Sequence, residues 1–185
     1  MKWSFLLIIL LITLNKSFSQ NRAADSVQLT SLIKKVLTWH QADRGYDFEP
    51  MKADPKDSIF SGINWDSHKK RVDELKKTNF FSKDFISNYE DIAQYINKEL
   101  KENKVKYYEG DLPPYDHPNE WCNCQDYPDK SLSRLKIKNL NIKNDVADFK
   151  WTWGNNFLYS VKAKKENGSW HISELEKFNK KNFSW

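Results

Sequence analysis

Glycine and proline are scarce, at five and six of 185 residues, which excludes collagen-like and linker-like sequences. Two cysteines are too few for a disulfide-dense scaffold. The longest apolar run, residues 5–14, is broken by Thr13. It falls well short of the roughly 20 residues a membrane-spanning helix needs. The chain has no Gly-x-Ser-x-Gly, no Gly-rich phosphate loop and no His-Glu-x-x-His. Its four histidines, His40, His68, His117 and His171, sit in no nucleophile motif. What it does have is aromatic residues, 15% of the chain with eight Trp and eleven Phe, so a packed core is expected. The length suits one domain.

Residues 1–19 read as a secretory signal. Lys2 gives the positive start, the apolar run follows, and Asn15 and Lys16 end it. Ser17 and Ser19 then place small residues at a cleavage site. No cysteine stands there to take a lipid anchor. The expectation is an exported protein, periplasmic or secreted, whose single domain covers residues 20–185 and has no integral membrane segment.

Loss of Lys2 and Lys16 lowers the net charge from +5 to +3, too mild to support nucleic-acid binding. The charge is also unevenly spread. Residues 107–129 carry Glu109, Asp111, Asp116, Glu120, Asp126 and Asp129 and no Lys or Arg.

Leu29, Leu32, Ile33, Val36, Leu37 and His40 recur at helical spacing and predict a helix over 26–42, capped by Asp25 or Ser26. Residues 66–78, lysine-rich with only Val72 and Leu75 apolar, suggest a short exposed helix. Ser82 precedes a stronger helix, 83–103, with Phe85, Ile86, Tyr89, Ile92, Ala93, Ile96 and Leu100 on one face. Beyond about residue 134 the period becomes two, through Ile137, Phe149, Trp151, Trp153, Tyr159, Val161, Trp170 and Ile172. Asn167-Gly168 marks a tight hairpin. Helices followed by an antiparallel meander give an α+β fold, with helices packed on a curved sheet.

Four short stretches carry a resemblance. They are Trp39, Phe81-Ser82-Lys83-Asp84-Phe85, Cys124-Gln125-Asp126-Tyr127-Pro128 and Asn167-Gly168-Ser169-Trp170-His171-Ile172. Over residues 28–178 the chain resembles a bacterial exported family, domain of unknown function 3828. That family lies in the nuclear transport factor 2-like superfamily. The resemblance implies a cystatin-like cone and an exported location, and supplies no catalytic residues.

Cys122-Asn123-Cys124 leaves three readings open. The thiols close a small disulfide, stay free, or serve a metal or redox role. With His117 they fall short of the four ligands of structural zinc, so no metal or cofactor is expected.

Three functions follow. The first, which the size of the aromatic face favours over the other two, is a non-enzymatic module binding a small apolar or aromatic ligand in the cavity between sheet and helices. Its wall would be Trp39, Tyr89, Trp151, Trp153, Tyr159 and Trp170, with Gln125 and Asp126 as polar groups. The second is a partner-binding protein, of inhibitor or immunity type, that presents the acidic aromatic loop 107–129 to a basic surface. The third is a hydrolase or isomerase using Asp126 and His40, the one Asp–His pair suited to a cone-shaped fold.

Overall fold

The computed structural model describes residues 2–42, 45–111, 119–124, 127–128, 130–154 and 157–183, with side chains from Arg22 onward, Ser131 excepted. Three long helices come first: α1 (Lys2–Ala42), α2 (Trp65–Thr78) and α3 (Lys83–Lys101). A two-stranded ladder, β1 (Pro50–Met51) with β2 (Gly62–Ile63), lies between α1 and α2. The short helix α4 (Ser131–Arg134) leads into an antiparallel meander, β3 (Lys136–Lys143), β4 (Val146–Thr152), β5 (Tyr159–Glu166) and β6 (Ser169–Leu175), with spatial order β3-β4-β5-β6. A single 3-10 turn, Lys180–Phe183, closes the described chain.

The expected α+β architecture is therefore present. Helix α1 is longer than the 26–42 expected, because residues 2–42 contain no Gly or Pro to stop it. Asp25 and Ser26 are consequently interior to the helix and cap nothing; Asp25 instead accepts from Lys165 Nζ and Trp170 Nε1, both at 2.9 Å. Ser82 does cap α3, its side chain accepting from Phe85 N–H at 3.3 Å. Among the described residues no helix is long and apolar enough to cross a membrane.

Register follows turn chemistry. Asn144 and Asp145, both at positive φ, make the two-residue turn that joins β3 to β4. Asn167 and Gly168 do the same between β5 and β6. Opposite pairs Ala147–Ala163, Phe149–Val161 and Trp151–Tyr159 then lie on the core face of the sheet. Helix α3 buries its whole apolar stripe, and α1 buries Leu29, Leu32, Ile33, Val36 and Leu37. Residues 80–82 run beside β6, with Ile172 N–H donating to Phe80 O at 2.8 Å and Ser82 N–H to Ile172 O at 2.9 Å. That covers one edge of the sheet and leaves β3 as the other.

Helix α2 corrects the expectation of an exposed element. It buries His68 and Arg71 together with Val72 and Leu75. Asn64 caps it, accepting from Ser67 N–H at 3.1 Å. Gly62 is needed beside it for close approach: a Cβ there would meet Asn97 Oδ1 at 2.8 Å.

Candidate functional site

Four elements converge on one carboxylate. Asp47 stands in the turn after α1, where Phe48 takes a positive φ. Its Oδ1 accepts from Arg71 Nε of α2 at 3.0 Å and from the Tyr89 hydroxyl of α3 at 2.6 Å. Its Oδ2 accepts from Trp121 Nε1 at 2.6 Å. Asp47 and Arg71 are largely out of solvent, at 13% and 3% exposure. A carboxylate taken from water needs such donors, and three of them meet it here. The Arg71 guanidinium also lies over the Trp39 ring, 4.6 Å from its centroid.

Trp121 is the plug of this knot. It is 1% exposed and packs edge-on against Trp39, Phe81 and Phe178, with His40 stacked 5.2 Å away. The turn holding it is tied down locally. Trp121 N–H donates to Asn119 Oδ1 at 3.0 Å, and Cys122 and Cys124 are joined as a disulfide with Cα atoms 5.2 Å apart. The Tyr159 hydroxyl donates to the Glu120 carbonyl and accepts from Lys177 N–H at 3.3 Å. The opposite end of the acidic segment is fixed too, by Phe60 N–H to Tyr107 O at 2.8 Å and Glu109 N–H to Ser58 O at 2.7 Å. The acidic segment is therefore rooted on both sides.

His68 lies beside the knot, stacked on Tyr89 at 5.4 Å and Phe48 at 6.1 Å with Trp65 edge-on at 5.5 Å. Neither ring nitrogen has a hydrogen-bond partner among the described residues. Burial holds its pKa below the ordinary histidine value, against the opposing pull of Glu90 and Asp47. Burial, with the Asp47 charge beside it, drives the Tyr89 hydroxyl well above the usual tyrosine range; burial also raises Tyr127 and Tyr159. The Tyr89 and Tyr159 hydroxyls, kept protonated, donate to Asp47 and to the Glu120 carbonyl.

The aromatic residues expected on one wall fall into three places. Trp39 and Tyr89 belong to the knot. Trp151 and Tyr159 face one another across β4 and β5; Trp153 and Phe157 stack on each other and pack edge-on and tilted against Trp151. Trp170 pairs with Lys165, six residues along β5 from Tyr159 and so about 20 Å away. Tyr89, Trp151 and Tyr159 are essentially unexposed. Clefts of about 1200, 650 and 550 Å³ open on the described surface; Trp170 borders the last of these, and the other five aromatics border none of the three. His40 Nδ1 is 2.9 Å from the Tyr127 hydroxyl; Gln125, Asp126 and His117 lie outside the described residues. His171 points to the outer face of the sheet opposite Lys164, yet it is only 7% exposed.

Compared with protein-family models, curated proteins and solved structures, the chain matches none. The knot itself went unread in the sequence, although a signal existed. His68, Arg71, Val72 and Leu75 recur at three and four, the spacing of a buried helical face. Among the described residues no three His, Cys, Asp or Glu side chains come together as a metal site.

Proposed function

We propose that this chain is an exported, non-enzymatic partner-binding protein, with a cystatin-like cone as its scaffold and the 107–129 region and its surroundings as its binding face. One observation carries the reading. Six large apolar residues stand exposed among the described residues, and four of them, Tyr46, Met51, Trp65 and Tyr108, lie on the segments around the root of the acidic stretch. The segments that carry Met51 and Tyr108 are tied together next to these residues, where Lys52 Nζ pairs with Glu109 at 2.6 Å. Exposed aromatic and Met side chains beside acidic groups suit a basic protein surface.

The interior supports the same reading. A ligand in the sheet–helix space would have to displace Tyr89, Trp151 or Tyr159, whose hydroxyls and rings already have partners inside the fold. The test is native mass spectrometry and pull-down of the processed protein from its own host, beside a Tyr108→Ser/Met51→Ser variant. The expected result is a stoichiometric protein, released by salt and lost with the variant. A stoichiometric small molecule in place of a protein would restore the ligand module and overturn the proposal.

A further inference from the structure

Lysines on the outer face of the sheet are not treated alike. On β5 each has an acid: Lys162 Nζ is 2.8 Å from Glu174, and Lys164 pairs with Asp84. On β3 and β4 the outward positions Lys136, Lys138, Lys143 and Lys150 make no ion pair among the described residues, and Lys138 is directly opposite Lys150. Like charges opposed across strands oppose pairing. From Lys130 to Lys143 the chain has five basic residues and no acid.

The same strand is the sheet edge with no further strand beside it among the described residues, flanked by α1 near Leu140. Arg22 Nη2 meets one of its carbonyls, Leu140 O, at 2.5 Å, and no other backbone group outside the β3–β4 ladder pairs with β3 among the described residues. The ladder shifts between Lys138 and Asn141, with Asn139 at positive φ, so residues 136–138 form the regular stretch of edge before the irregularity. Ile137 and Leu140 remain half-buried along the edge. Lysines on an edge strand guard against pairing with like edges. Here the guard is selective by charge: a second copy docked β3 to β3 would set lysine against lysine.

We infer that the β3 edge is a docking site for an extended acidic segment of a partner protein. The segment would add as a strand, with acids over Lys136, Lys138 and Lys150 and apolar residues beside Ile137. This goes beyond the proposed binding face, since it is a separate surface of opposite charge. Main-chain pairing would supply affinity and alternating side chains the specificity.

The probe is a synthetic peptide of alternating glutamate and valine, compared with its backbone N-methylated form and with a lysine–valine peptide. Binding is read by fluorescence anisotropy, and amide exchange of residues 136–138 by NMR. The glutamate peptide is expected to bind and to slow exchange at outward β3 amides. The N-methylated form should bind more weakly by about tenfold, the effect of losing one or two backbone hydrogen bonds. Lys136→Glu/Lys138→Glu should weaken binding while circular dichroism stays unchanged. Equal binding by the N-methylated or lysine peptide, no binding at all, or unchanged exchange would overturn strand addition.

Discussion

Asp47 with Arg71 and Glu174 with Lys162 are the same chemistry, a carboxylate beside a cation, in two settings. The first pair is 13% and 3% exposed and lies among aromatic rings; the second is 61% and 44% exposed on the outer face of the sheet. Water screens the outer pair and competes for both partners, so it adds little. Nothing replaces a partner lost from the inner pair, so breaking it strands a charge. The inner pair also joins four segments, whereas the outer one staples two strands already held by a ladder. Location, more than chemistry, decides what an ion pair does here.

The comparison is broken most severely by Arg71→Leu, which leaves Asp47 buried without its cation. A loss of about 3–5 kcal/mol is expected in urea unfolding. The added Asp47→Asn change should recover part of it. A finding that Arg71→Leu costs no more than Lys162→Ala would show that the knot is not the keystone described above.

Trp121→Phe keeps an aromatic side chain, though a smaller one, and removes the Nε1–H donor to Asp47. A loss of about 1–3 kcal/mol follows from one unsatisfied buried acceptor, again by urea unfolding. Far-ultraviolet dichroism should stay unchanged, which separates this loss from unfolding.

The next effect is a pH dependence. Burial lowers the His68 pKa in the folded state, so the unfolded chain takes up its proton first as pH falls. Stability from a neutral His68 is fully present above the unfolded value near 6.5 and declines as pH drops below it. The decline levels off below the folded pKa. Its slope is at most about 1.4 kcal/mol per pH unit. In His68→Phe that part of the slope should vanish when midpoints are measured from pH 7 to pH 5. A wild-type protein equally stable across that window would remove the buried neutral histidine from the account.

Smallest are the surface changes. Lys162→Ala should cost about 0–1 kcal/mol. Molar salt, with a screening length of about 3 Å, should erase that difference and leave the Arg71→Leu loss in place. Lys138→Thr should do the reverse and stabilise by a few tenths of about 1 kcal/mol, by relieving the Lys138–Lys150 opposition.

The layout was legible where one residue class repeats at one period. The stripe of α3 from Phe85 to Leu100, the Ser82 cap and the alternation of β4 and β5 all follow that rule. Helix α2 was misread because its buried face holds His68 and Arg71, which a hydropathy pattern counts as solvent-facing. The aromatic wall failed for a different reason. Alternation places Trp151, Tyr159 and Trp170 on one face but says nothing of distance along it, and Trp170 ends beside Asp25.

The sequence by itself determined the helix-then-meander order, the α3 cap and the Asn-Gly hairpin. These depend on backbone preference and on residues a few positions apart, and such information is local. Only the tertiary structure decided that Asp47, Arg71, Tyr89 and Trp121 form one knot, and that among the described residues the lysines of β5 have acids while those of β3 and β4 do not. Trp121 and Asp47 are 74 residues apart in the chain, and Lys164 and Asp84 are 80 apart. Pairings of that reach depend on how the layers pack. Burial then fixes their energetic weight, because the same two charges matter far more once water is gone.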